Sequence, residues 1–126
     1  MKSYSDMLVE QNTVFDNPFQ GSDKKVLFVC SAGILRSATA ARLYARKYNT
    51  RCAGTEPYAL IPVTADLLAW ADEVVFMNPE NANKMIDKFA DLGFPCKTVT
   101  LNIPDQYEHM HPELIKLIKE QYEDVE

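Results

Sequence analysis

The stretch KKVLFVCSAGILRSATAARLYARKY, residues 24–48, decides the fold. Val26-Leu27-Phe28-Val29 is an unbroken apolar run of good β formers, which predicts a strand covered on both faces within a parallel sheet. From Ser37 to about Tyr48, Ala40, Ala41, Tyr44, Ala45 and Tyr48 recur at helical spacing with Arg42, Arg46 and Lys47 opposite them, which predicts an amphipathic helix. Cys30 ends the strand, and Arg36-Ser37 opens the helix after five intervening residues.

That short turn suits an anion. A loop of Ser31, Ala32, Gly33, Ile34 and Leu35 can wrap with its backbone N–H groups pointing inward, a nest for negative charge. Gly33 removes the Cβ penalty where such a loop needs a positive φ. The helix start adds unpaired amides and partial positive charge. Arg36 can hold two oxygens of a phosphate through its planar fork. The same field favours the thiolate of Cys30, and Ser37 can donate a hydrogen bond to that sulfur. A thiolate beneath a bound phosphate is a nucleophile set for in-line displacement at phosphorus. Taken singly, a cysteine ending a buried strand reads as a small core hydrophobe, and an arginine opening a helix as a solvated one. The conjunction of apolar run, Cys, five residues, Arg-Ser and helix favours the catalytic reading.

Working outward, residues 1–23 carry no sustained period and read as an N-terminal arm before a single α/β domain, 24–126. Thr50–Ala53 reads as a second strand ending at Gly54. TADLLAWA, 64–71, reads as a helix capped by Thr64, with Trp70 in the core. EVVFM, 73–77, is another buried strand. ENANKMIDKFADLG, 80–93, is a helix closed by Gly93. KTVTLNI, 97–103, is a fourth strand and PELIKLIKEQYE, 112–123, a last amphipathic helix with Pro112 in its first turn. Strand and helix alternate throughout, which predicts an α/β fold: an open four-stranded parallel sheet flanked by helices, with the phosphate-binding loop after the first strand. Ligands of such sheets sit at the carboxyl ends of strands. Cys30 and the PDQYEH segment, 104–109, both fall at such ends.

Length and composition bound the function. At 126 residues the chain supports one core. A formal net charge of −5 argues against a general nucleic-acid partner. The polar, acidic start lacks the apolar core of a secretory signal, and no run approaches the length of a membrane span. Three cysteines, Cys30, Cys52 and Cys96, without CxxC spacing fit neither a disulfide framework nor a zinc site. The expectation is a cytoplasmic protein with no membrane partner, no metal and no cofactor.

VLFVCSAGILRSATAARL resembles the active-site segment of the low-molecular-weight protein tyrosine phosphatases, an apolar strand followed by C-x5-R-S and a helix. The resemblance continues at RCAGT, ADEVVFM and LNIPDQY, spanning roughly residues 24–122. It implies hydrolysis of phosphomonoesters, protein phosphotyrosine foremost, through a phosphocysteine on Cys30. Arg36 would bind phosphate, Ser31 through Leu35 would supply loop amides, and Ser37 would steady the sulfur. Many members have asparagine where this chain has Gly33, and a second cysteine where it has Leu35, so their protective disulfide has no counterpart at that position. Cys52 or Cys96 replaces it only if the fold brings one within reach.

Expelling an alkoxide or phenolate needs a proton donor. Asp105 corresponds to the family's general acid, although the family sets proline after the aspartate and this chain has Pro104 before it. Glu108 is the next acid in line, whereas His109 and His111 read as loop or helix-start surface residues. Tyr58 and Tyr107 correspond loosely to the aromatics that hold a phosphotyrosine ring. The implied partners are a phosphorylated protein or small phosphomonoester, with phosphate or another oxyanion in the loop. Two rivals remain. One is a non-catalytic phosphate-binding regulatory module. The other is an arsenate reductase-like thiol enzyme, which needs further cysteines in series; NPENANKM, 78–85, where that relative carries its extra pair, has none.

Overall fold

A computed structural model describes residues 24–33, 35–59, 61–91 and 97–125. The N-terminal arm 1–23, Ile34, the helix stop at Gly93 and Cys96 lie outside the described residues.

The elements run β1 (Lys25–Cys30), α1 (Arg36–Leu43), β2 (Asn49–Gly54), α2 (Ala65–Trp70), β3 (Glu73–Phe76), α3 (Pro79–Lys88), β4 (Lys97–Thr100) and α4 (Pro112–Val125). The four strands form one sheet in the order β2-β1-β3-β4, and every pairing is parallel. The fold is therefore the expected α/β arrangement. The chain leaves β1 for β2 on one side and returns to β3 on the other, so the order reverses at the carboxyl end of β1. That reversal opens a crevice, and Cys30 stands at its edge.

The apolar run of β1 is explained by its neighbours. Val26, Phe28 and Cys30 face one layer, with Ala38, Ala41 and Tyr44 of the α1 region and Leu114, Ile118 and Tyr122 of α4. Leu27 and Val29 face the other, with Leu68 of α2, Val74 and Phe76 of β3, and Ala82 and Met85 of α3. A central strand with both faces dry has no position for a polar side chain. Phe28, Tyr44 and Tyr122 meet as an aromatic cluster, with centroid separations of 5.1–6.1 Å.

Several element ends differ from the periodicity. α1 stops at Leu43 instead of continuing to Tyr48, because the chain must turn back to join β2, whose Asn49 N–H donates to Lys24 O at 2.9 Å. The turn is made by tighter bonds from Ala45 N to Arg42 O and from Lys47 N to Tyr44 O. Tyr44 and Tyr48 stay buried through it, which is why the helical pattern outlasts the helix. β3 ends at Phe76 and β4 at Thr100, although Leu101 N and Ile103 N still bond Phe76 O and Met77 O. α3 ends at Lys88, with Phe89 leaving helical geometry at ψ 26°. Thr64 caps α2 as expected, its hydroxyl accepting from Leu67 N at 3.2 Å. Trp70 is not deep in the core; it is half-buried, with the Arg51 guanidinium 4.3 Å from its ring centroid.

Candidate active site

The turn after β1 is built by two glycines set back to back. Gly33 has φ +77°, and a Cβ there would stand 2.8 Å from Gly54 N and 2.9 Å from Ala53 C. A Cβ at Gly54 would meet Ser31 O at 2.6 Å and Ala32 C at 2.7 Å. The loop therefore rests on the end of β2 at a spacing only glycine permits, in addition to needing a left-handed residue. Further backbone bonds hold it: Thr55 N donates to Cys30 O at 2.9 Å and Glu56 N to Ser31 O at 3.1 Å.

Cys30 is buried, and polar groups converge on its sulfur. Gly33 N donates to Sγ from 3.2 Å, and Ser37 Oγ lies 3.1 Å away. With the sulfur ionised, the serine hydroxyl is the donor, and both contacts then stabilise negative charge. α1 begins beside them without a side-chain cap at Leu35. Its first amides thus depend on other partners.

Arg36 is 1% exposed and reaches three directions. Nη1 donates to Ile103 O at 3.0 Å and Nη2 to Ser31 Oγ at 3.4 Å, while Nε lies 3.6 Å from Asp105 Oδ1. Nε itself has no hydrogen-bond partner. The fold thus brings Cys30, Ser37, Arg36 and Asp105 to one end of the sheet. Asp105 is 59% exposed, so the ion pair joins a buried guanidinium to a carboxylate that reaches solvent. Beside it an open cleft of about 410 Å³ runs between the start of α3 and the segment after β4, lined by Asn78, Glu80, Asn102 and Asp105 among others.

The aromatic residues behave differently from one another. Tyr58 is exposed on the loop that begins with Thr55 and Glu56. Tyr107 is half-buried, packed on the core with its ring 5.5 Å from His111. Glu108 is exposed, and its carbonyl accepts from His111 N. His111 serves the start of α4, Nδ1 accepting from Glu113 N at 3.1 Å. His109 instead turns to Thr39 on α1, with Nδ1 3.4 Å from Oγ1.

Cys30 and Cys52 are free thiols. Cys52 sits on β2, its Sγ donating to Gly33 O at 3.5 Å, so it meets the loop from beneath. Burial first, and then the nearness of Cys30, pushes its thiol far up from the ordinary range.

Sequence reasoning missed Asn81. It is buried on the first turn of α3, where Asn78 Oδ1 caps its N–H at 2.9 Å and its own Nδ2 donates to Ser31 Oγ at 3.2 Å. Its Oδ1 is buried without a partner. A polar residue at the start of a helix reads as surface, and only the tertiary contact with the loop reveals its place. Gly54 ends β2 as expected, but its close approach to the loop, like the bond of Thr39 to Met110, has no mark in the sequence. Among the described residues no His, Cys, Asp and Glu cluster is set to hold a metal ion, and no helix is long and apolar enough to cross a membrane.

No protein-family model matches the sequence. A search of curated proteins returns no match either. Among solved structures, the thioredoxin-dependent arsenate reductase of Corynebacterium glutamicum has a similar fold, with a TM-score of 0.52 at 17% identity over 97% of this chain and 69% of that one.

Proposed function

We propose that this chain hydrolyses phosphomonoesters, protein phosphotyrosine first among them, in the manner of the low-molecular-weight phosphatases its motif resembles. The observation that carries the reading is the convergence of Gly33 N, Ser37 Oγ and buried Arg36 on the strand end that bears Cys30, with Asp105 facing Arg36. Cys30 Sγ attacks phosphorus and forms the S–P bond as the ester P–O bond breaks. Asp105, protonated for this step, gives its proton to the leaving oxygen. The resulting carboxylate takes a proton from water, whose oxygen attacks phosphorus and returns Cys30 and inorganic phosphate. The bare Nε of Arg36, the loop amides and the start of α1 oppose the charge gathered on the phosphoryl oxygens.

The fold shared with an arsenate reductase favours a second reading, in which Cys30 reduces an oxyanion and ends in a disulfide with another thiol. Cys52 is the thiol available among the described residues, but it is buried beneath the loop with its Sγ on Gly33 O, and that burial disfavours the thiolate needed for attack. Phosphoester hydrolysis is the stronger reading on that ground.

Turnover of para-nitrophenyl phosphate by the wild-type chain, lost in Cys30→Ser, is the expected result. Asp105→Asn should lower kcat/KM on phenyl phosphate by about 10²- to 10⁴-fold, and on a substrate with an activated leaving group far less. Inorganic phosphate binding without turnover would identify a binding module instead. Arsenate-dependent consumption of reduced thioredoxin, with no ester hydrolysis, would identify the reductase.

A further inference from the structure

The side chain of α1 that lies one turn beyond Arg36 is Thr39, which is fully buried and belongs to neither the loop nor the sulfur. Its Oγ1 accepts from Met110 N at 2.8 Å and lies 3.4 Å from His109 Nδ1. The hydroxyl can accept from Met110 and still donate its own proton to His109 when the imidazole nitrogen is unprotonated. Arg36 meanwhile binds Ile103 O at 3.0 Å. The stretch carrying Asp105 and Tyr107 is therefore pinned to α1 at both ends, at Ile103 by Arg36 and at Met110 by Thr39.

Between the pins Gln106 N bonds Pro104 O in a local turn, and Tyr107 packs on the core. Met110 is also the one non-glycine residue with positive φ among the described residues, at 61°. A methionine persists there only when its surroundings over-determine the geometry. The buried hydroxyl of Thr39, aimed at the Met110 N–H, is such a constraint.

We infer that Thr39 is a positioning residue that holds Asp105 over the Cys30 loop by fixing the far end of its segment. This rests on the phosphatase reading of the site. α1 then sets both partners of the reaction: its start supports the bound anion, and its second turn holds the acid. Thr39 touches neither the phosphoryl group nor Cys30 in this account, so its loss acts through Asp105, on leaving-group protonation and on water activation, and spares phosphate binding.

The test compares Thr39→Val, which keeps the shape and removes the oxygen, with Thr39→Ser, which keeps the oxygen. Thr39→Val should lower kcat/KM on phenyl phosphate by about ten- to a hundredfold, as expected when a reacting group is displaced by about 1 Å. It should change kcat/KM on 2,4-dinitrophenyl phosphate, whose leaving group needs no proton, and inhibition by inorganic phosphate, by less than about twofold. Thr39→Ser should recover most of the loss. In an Asp105→Asn background, Thr39→Val should add nothing further on phenyl phosphate. If the valine variant does not fold, Thr39→Ala serves in its place.

Equal losses on both substrates, no loss on either, or a serine variant as impaired as the valine would overturn the assignment. A wild-type chain without turnover on either ester would instead bring down the phosphatase reading. Amide exchange at Met110 then decides the tether on its own: protection in the wild type that is lost in Thr39→Val upholds it, and unchanged exchange refutes it.

Discussion

Gly33→Ala probes the packing of the loop against β2 more sharply than any change to the reactive side chains. At φ +77° an alanine pays about 1–2 kcal/mol for left-handed backbone. Its Cβ would also stand 2.8 Å from Gly54 N and 2.9 Å from Ala53 C, which are backbone atoms of a paired strand and cannot rotate aside. Relieving such overpacking costs about 1–3 kcal/mol more. The combined loss of about 2–5 kcal/mol is a large share of the roughly 5–15 kcal/mol that holds a domain folded. For a chain of this size it lowers Tm by about 10–30 °C. Gly33→Asn separates the two contributions, because asparagine tolerates positive φ yet carries the same Cβ; it should lose only the packing part, about 1–3 kcal/mol. Calorimetry with and without inorganic phosphate reads both stability and loop integrity, since a displaced loop also withdraws Gly33 N from Cys30 Sγ. An alanine variant that melts within about 2 °C of the parent and binds phosphate equally well would refute the packing. An asparagine variant as stable as the parent would leave the positive φ standing and remove the close approach.

Two further outcomes follow from groups away from the reaction. Cys52 keeps its proton in the folded chain, while the unfolded chain's cysteine ionises near pH 8.5, so the folded state binds more protons above that pH. Stability should therefore be full below about pH 8.5 and fall above it by about 1.4 kcal/mol per unit, and Cys52→Ala should flatten that slope in urea midpoints taken at rising pH. An equal slope in both proteins would contradict the burial of the thiol. At the opposite end of the sheet, Tyr122 OH donates to Glu73 Oε1 at 2.5 Å, with Lys24 and Lys97 at 3.6 and 3.5 Å from Oε2. Tyr122→Phe leaves that buried carboxylate one donor short and should cost about 1.5–3 kcal/mol in urea unfolding while leaving phosphate affinity unchanged. A change in phosphate affinity would show that the two ends of the sheet are coupled.

The legible parts of the fold were those whose cause is local. The β1 run, the spacing of α1 and α4 and the Thr64 cap are set by neighbours in sequence, so pattern alone finds them. Cys30, Arg36 and Ser37 are legible for the same reason, lying on one strand-turn-helix unit. The parallel topology then brings the segment with Asp105 to the same end of the sheet. What pattern does not carry is contact made across the sheet. Asn81 on α3 reaches Ser31, Gly54 on β2 makes room for the loop, and Thr39 binds Met110 across 71 positions. None of these has a periodic or compositional mark. The end of α1 departs from the pattern because burial of Tyr44 and Tyr48 carries a helical rhythm through a turn.

The two halves of the candidate site are held by different means, and Arg36 joins them. The sulfur half is fixed by short-range bonds from Gly33 and Ser37 and by the glycine contact with β2. The carboxylate half comes from a segment 67 positions on, and Arg36 Nη1 fixes its near end at Ile103 O. The same guanidinium bonds Ser31 Oγ through Nη2 and keeps Nε toward Asp105. A lysine at this position offers one compact ammonium, which cannot span a serine hydroxyl, a backbone carbonyl and a carboxylate from a single buried site. The arginine is therefore required by the architecture before any anion arrives. Its Nε, paired with Asp105 at 3.6 Å but without a hydrogen bond, is the donor left to meet one.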